Sequence, residues 1–159
     1  MPDYTSSSRL ELLEGWQQYV TSFADWKSFI TLTSREIVTR DQIEHKFRWL
    51  VQRLNKELFG NNYTRIVGHS YFSYVIGLEH QKRDVLHAHV LVDRKVNFEA
   101  IHAMWQSMSG FAHIRPVDDA AGAAGYLSKY VSKGGDLSLY KPAKVKEPRW
   151  KPWWYIGLK

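Results

Sequence analysis

Cysteine is absent from the 159 residues, which excludes a disulfide framework, a thiolate metal site and a cysteine nucleophile. No apolar stretch approaches the roughly 20 residues that a membrane-spanning helix requires, and the polar start carries no secretory signal. A soluble, cytoplasmic protein with no membrane partner is therefore expected. Acidic side chains are the minority charge: 16 Asp and Glu stand against 22 Lys and Arg, a formal net charge of +6. That surplus favours a polyanionic partner. No internal repeat is present beyond a doubled Tyr-x-x-Lys.

What is there fits one domain, 1–159, long enough to bury a proper core. Seven tryptophans, nine tyrosines and seven phenylalanines supply that core and, on a basic surface, rings on which single-stranded nucleic acid can stack. The first eight residues are polar and expected to fray. From Arg9 to Phe23 the apolar positions Leu10, Leu13, Trp16 and Val20 recur at helical spacing. Ser28-Phe-Ile-Thr-Leu-Thr33 is a β-branched and aromatic run that reads as a strand. Thr39 or Asp41 can cap a second helix with the stripe Ile43, Phe47, Leu50, Val51, Leu54 and Leu58, stopped at Gly60.

Tyr71 to Glu79 and Val85 to Val92 read as an antiparallel strand pair joined by a polar connection, His80 to Asp84. A helix follows from Asn97 to Met108, then a short strand from Phe111 to Val117. Asp118 or Asp119 then caps a helix of small residues that runs through paired tyrosines to Gly134-Gly135. Strand, helix, strand, strand, helix, strand is a split βαβ order. It predicts an α+β fold in which helices pack on an antiparallel, ferredoxin- or RRM-like sheet. Residues 136–159 change character, interleaving lysine and arginine with Trp150, Trp153, Trp154 and Tyr155, and read as a basic, aromatic C-terminal extension.

Two constellations carry chemistry. His87-Ala88-His89 sets two imidazoles on one side of a strand, because side chains alternate faces. Leu86, Ala88, Val90 and Val92 then face the other way. Glu79 on the partner strand is the best third ligand, since pairing of odd residues with odd ones sets it opposite His87 or His89. His80 and His69 are weaker candidates. A His/His/Glu set suits zinc as well as other divalent metals, and the competing reading is a polar pair on a solvated sheet face.

The second constellation is Tyr126-Leu-Ser-Lys129-Tyr130-Val-Ser-Lys133. Positions i, i+3, i+4 and i+7 share one helix face, so both tyrosines and both lysines line up. A tyrosine hydroxyl ionises near pH 10. Lysines beside it are expected to lower that value and to neutralise charge on a phosphate, making tyrosine a nucleophile on phosphorus. The bland alternative is an amphipathic helix whose lysines snorkel to water.

Together these motifs resemble the HUH endonuclease superfamily, and more narrowly the rolling-circle replication initiators (Rep proteins) of the two-tyrosine type. Phe29-Ile-Thr-Leu-Thr33 is similar to the first motif. Leu86-His-Ala-His-Val-Leu-Val92, with Glu79 upstream, is similar to the second, and Gly125-Tyr-Leu-Ser-Lys-Tyr-Val-Ser-Lys133 to the third. The likeness spans a core of about residues 26–135. It implies a single HUH endonuclease domain in which Glu79, His87 and His89 hold Mg2+ or Mn2+. Tyr130 would be the first nucleophile and Tyr126 the second, with Lys129 and Lys133 assisting.

The resemblance also implies nicking and joining of single-stranded or hairpin origin DNA through a 5′-phosphotyrosine, leaving a 3′-hydroxyl that primes synthesis. Arg35, Lys82, Arg83 and Arg115, near motif ends, are the expected phosphate contacts, with solvated surface charge as the alternative for each. A plasmid-, virus- or mobile-element-encoded protein in a prokaryotic cytoplasm fits this type. No Gly-x-x-x-x-Gly-Lys-[Ser/Thr] loop occurs, so unwinding is expected to come from a host helicase working with a host polymerase. The rivals are a compact HUH transposase and a non-catalytic nucleic-acid-binding module. Relaxases fit less well, since their tyrosine typically precedes the histidines.

Overall fold

The computed structural model describes residues 6–80, 85–132, 137–143 and 146–156. In chain order the elements are α1 (Ser6–Phe23), β1 (Ser28–Thr33), α2 (Arg40–Phe59), α3 (Tyr63–Val67), β2 (Tyr74–His80), β3 (Leu86–Val92), α4 (Phe98–Met108), β4 (Ala112–Pro116), α5 (Ala120–Ser132) and β5 (Leu137–Tyr140). The strands form one sheet in the order β4-β1-β3-β2-β5, with every neighbouring pair antiparallel. Strand β3 thus lies between β1 and β2, the split βαβ arrangement expected from the element order.

Local chemistry explains the bounds. Thr39 accepts from the Gln42 amide while the Gln42 side chain accepts from the Thr39 amide, a reciprocal cap that opens α2. Gly60 closes it at φ 81°, a left-handed conformation that favours glycine. Asn97 caps α4 through the Ala100 amide. Strand β2 begins at Tyr74 rather than Tyr71, because Tyr71 and Phe72 turn into the core and the Tyr71 amide donates to the buried Asn55 side chain. Helix α1 already runs through Ser6 to Ser8, which were expected to fray.

Alternation divides the sheet into two faces. Ile30, Leu32, Ile76, Leu78 and the even-numbered residues of β3 pack against the α2 stripe and against Ile101, Met104 and Trp105 of α4. Phe29, Val75 and Leu91 face the other way, onto Val20 of α1 and Ala124, Leu127 and Tyr130 of α5. Each fully buried aliphatic side chain stabilises the fold by about 1.5–3 kcal/mol. The two cores fix opposite sides of one sheet, so β3 must keep its register and with it the orientation of both histidines.

Two elements were not expected. Helix α3 is a five-residue turn whose Tyr63 and Val67 are buried. Strand β5, taken from what read as an extension, pairs with β2 from Gly77↔Leu137 to Tyr74↔Tyr140. Its Leu-Ser-Leu-Tyr run is too short to show a period, and only the free edge of β2 makes it a strand. Among the described residues no helix is long and apolar enough to cross a membrane.

Candidate functional site

Strand register decides whether the predicted ligands meet, and the register is the one they need. Glu79 of β2 lies opposite His87 of β3, and Gly77 lies opposite His89. On the other side of β3, His89 faces Thr31 and His87 faces Thr33 of β1. The Glu79 carboxylate reaches diagonally to His89, with Oε2 2.9 Å from Nε2. The Nδ1 of the same ring lies 3.3 Å from the Thr31 hydroxyl. His89 is thus held at both nitrogens and is buried, whereas His87 and Glu79 are half-buried and open toward solvent. Burial, then the charge of His89, push the His87 imidazole below its ordinary value against the opposing pull of Glu79.

Helix α5 lies over this cluster. The Tyr130 ring is 96% buried by its 4% exposure and stacks on His89 with centroids 5.5 Å apart and planes 2° from parallel. Tyr126, one turn earlier, meets the same imidazole edge-on at 5.4 Å and Phe29 at 5.8 Å. The two tyrosines are 5.9 Å apart. Tyr126 and Glu79 both lie close enough to influence the Tyr130 hydroxyl electrostatically. The candidate nucleophiles Tyr126 and Tyr130 and the candidate ligands Glu79, His87 and His89 therefore lie together.

Two features bring α5 this close and a third orients the His89 ring, and none of them was among the predicted site residues. Gly77 has no side chain where α5 descends: an added Cβ would lie 3.0 Å from Leu137 Cδ2, 3.1 Å from Tyr130 Cδ2 and 3.2 Å from Leu127 Cδ2. A lone glycine within a strand pattern is the usual mark of such an approach, so the signal was present. Gln17 of α1 donates to the Ala121 carbonyl at 2.7 Å, and its side chain lies against Gly125, bracing α5 from outside. Thr31 shares the His89 face only because β1 pairs with β3, which no local pattern announces.

The expectation that lysines lower the nucleophile's pKa is corrected for Tyr130. Burial first, then hydrogen bonding and charge from Tyr126 and Glu79, hold its hydroxyl above the usual tyrosine range. Lys129 is exposed and sets its Nζ over the Tyr126 ring, 5.1 Å from the centroid. Lys133 lies outside the described residues.

Of the expected phosphate contacts, Arg115 comes nearest the site. Its guanidinium covers the Phe29 ring at 4.7 Å and lines a cavity of about 320 Å³ that Tyr126, Asp118 and Asp119 also border. Arg35 is exposed and donates to the Gln106 carbonyl at 2.6 Å, so it closes the end of α4. Lys82 and Arg83 lie outside the described residues. His69 pairs with the Tyr74 hydroxyl at 2.7 Å, whose ring packs in the α2/α4 core on the far face. It is removed from the ligand candidates. His80 is exposed at the end of β2, and alternation turns it away from Glu79.

Among the described residues no three of His, Cys, Asp and Glu form a ready-made metal cage. The donor types nevertheless suit a divalent cation. Glu79 already touches one imidazole and lies across the strand from the other.

The site is thus an antiparallel sheet of an α+β domain that carries two histidines and a glutamate beneath paired helical tyrosines. Residues 27–135 match the profile of the replication-associated protein ORF2/G2P family, and the chain belongs to that family. Comparison with curated proteins finds no match. Among solved structures, the chain is similar to the hypothetical protein ORF119 from Sulfolobus islandicus rod-shaped virus 1, at 19% identity and a TM-score of 0.43. That alignment covers 77% of this chain and 93% of the viral one.

Proposed function

We propose that this replication-associated protein is an HUH-type initiator that nicks and rejoins single-stranded DNA. The observation that carries the reading is the stacking of Tyr130 on His89, the imidazole whose Nε2 the Glu79 carboxylate holds at 2.9 Å. A tyrosine seated on one candidate metal ligand lies where a nucleophile beside a bound cation belongs. Membership in a replication-associated family supports DNA as the substrate.

Tyr130 attacks first and Tyr126 second. Attack forms a bond from the tyrosine oxygen to phosphorus and breaks the P–O3′ bond. The proton lost by the hydroxyl is matched by the one gained at the departing 3′ oxygen. The products are a 5′-phosphotyrosine and a free 3′-hydroxyl, and reversal by a 3′-hydroxyl rejoins the strand without ATP, because the phosphodiester bond energy is retained. Glu79, His87 and His89 would hold Mg2+ or Mn2+, which when bound supplies Lewis-acid polarisation of the scissile phosphate. His87, held neutral by its surroundings, keeps a nitrogen lone pair available near pH 7. Lys129 and Arg115 contribute positive charge beside Tyr126.

The test is adduct formation on a denaturing gel with single-stranded origin oligonucleotides. Tyr130→Phe is expected to abolish the first adduct, Tyr126→Phe to spare it, and the double variant to form none. An adduct on the double variant refutes the assigned nucleophiles. Nicking that survives a chelator removes the cation from the reading.

A further inference from the structure

The C-terminal segment lies outside the family match, which ends at residue 135, and it packs across the sheet from the tyrosines. Trp154 is buried in the α2/α4 core and its indole N–H donates to Glu57 of α2 at 2.9 Å. Tyr155 donates to Glu147 at 2.6 Å, and its ring lies 6.4 Å from Tyr71. These contacts account for how the segment is anchored. They leave unexplained the two other tryptophans, Trp150 and Trp153, which are 64% and 74% exposed.

Trp150 borders two grooves. One, about 650 Å³, runs along the end of α2 beside Lys56, Lys146 and Arg149. The other, about 410 Å³, lies between α2 and α4 and is walled by Arg53 and Trp153. The carboxylates here are already engaged: Glu57 by Arg53 at 3.3 Å and by Trp154, and Glu147 by Tyr155 and by Lys151 at 3.9 Å. Five cations against two engaged carboxylates leave the surface positive, and exposed indoles stand among the charges.

We infer that this back face is a second binding surface, for single-stranded DNA, on which unpaired bases stack against Trp150 and Trp153 while the flanking cations contact phosphates. A duplex is a poor occupant, because its bases already stack on one another and leave no free face for the indoles. The surface does not depend on the tyrosine chemistry. It would hold strand that has left, or not yet entered, the opposite face.

The test measures anisotropy of fluorescein-labelled dT20 with the full chain in EDTA, where metal-dependent cleavage does not intervene. Trp150→Ala/Trp153→Ala should weaken binding about tenfold or more at unchanged melting temperature. Lys146→Glu/Arg149→Glu should also weaken it and make the log–log salt slope shallower by about 1.4. It also serves as the decisive variant should the tryptophan pair fail to fold. Wild-type affinity in a folded variant of either pair overturns the proposal, as does equal affinity for a 20-base-pair duplex. Tighter binding of rU20 than dT20 reassigns the surface to RNA. Self-association that Trp153→Ala abolishes, without dT20 binding, makes it an interface between copies. The adduct assay above reads the front face separately, so either proposal can fail alone.

Discussion

Gly77 offers the sharpest test of how the site is built. It lies opposite His89 in the register, and the Cβ of any replacement would meet Leu137, Tyr130 and Leu127 at 3.0–3.2 Å. Ordinary contact begins near 3.4 Å, so each neighbour must retreat by 0.2–0.4 Å for alanine. Valine adds two methyl groups in the same space and forces a shift nearer 1 Å. Two of the neighbouring atoms are leucine methyl tips that can give, the third is a ring carbon of Tyr130, and alanine is the better strand former by roughly 0.5–1 kcal/mol. Gly77→Ala should therefore fold with little change in melting temperature. Gly77→Val overpacks the α5–sheet contact and should cost about 1–3 kcal/mol. Catalysis should suffer more than stability, because a misplacement of about 1 Å can cost roughly 100-fold in rate. The expectation is an adduct rate several-fold lower for Gly77→Ala and about 100-fold lower for Gly77→Val. Cation affinity should change little, since Glu79, His87 and His89 sit on paired strands. The assay is single-turnover adduct formation beside thermal melting. A Gly77→Val protein that melts and reacts like the wild type would refute the claim that glycine seats the tyrosine helix.

Three further outcomes are expected. Thr31→Val removes the hydroxyl 3.3 Å from His89 Nδ1 and should weaken Mn2+ binding by about 10–100-fold; an unchanged calorimetric titration counts against a role for Thr31 in orienting the ring. Trp105 is fully buried and its indole N–H donates to the Thr33 carbonyl at 2.7 Å, so Trp105→Ala should cost about 3–5 kcal/mol and Trp105→Phe about 1 kcal/mol plus any packing defect. Equal urea midpoints for the two variants would contradict that division. The Tyr74 hydroxyl is pushed up to about 12, chiefly by burial, whereas an unfolded tyrosine ionises near 10. Its contribution is complete below about pH 10 and is lost as pH rises toward 12, at no more than about 1.4 kcal/mol per pH unit. Tyr74→Phe should flatten that alkaline decline, and a decline unchanged in urea melts at pH 9 to 11.5 would exclude Tyr74 as its source.

Much of the architecture was legible because local patterns were strong and agreed with one another. The α2 stripe, the Thr39 and Asn97 caps and the alternation of β3 each name one element and one buried face. Their order permits few ways to pair the strands. Strand β5 and helix α3 were not legible, since each is short and exists by leaning on structure built from distant residues. Residues 136–159 read as one basic, aromatic stretch. In the fold it is divided among an edge strand, a buried Trp154 and two exposed tryptophans, a division set by which side of the α2/α4 layer each ring reaches.

The sequence by itself determined which chemistry is available: His87 and His89 share a face because strands have period two, and Tyr126 and Tyr130 share one because helices have period 3.6. Tertiary structure alone decided that these faces meet. Glu79 falls beside the histidines through the β2–β3 register, Thr31 reaches His89 through the β1–β3 pairing, and Tyr130 descends onto the ring through the gap at Gly77. It also decided the electrostatics. Lysines close in sequence promised a lowered tyrosine pKa, but burial, then Tyr126 and the Glu79 carboxylate, raise Tyr130 instead. Desolvation and contact depend on what surrounds a group in space, and sequence spacing records only what lies beside it along the chain.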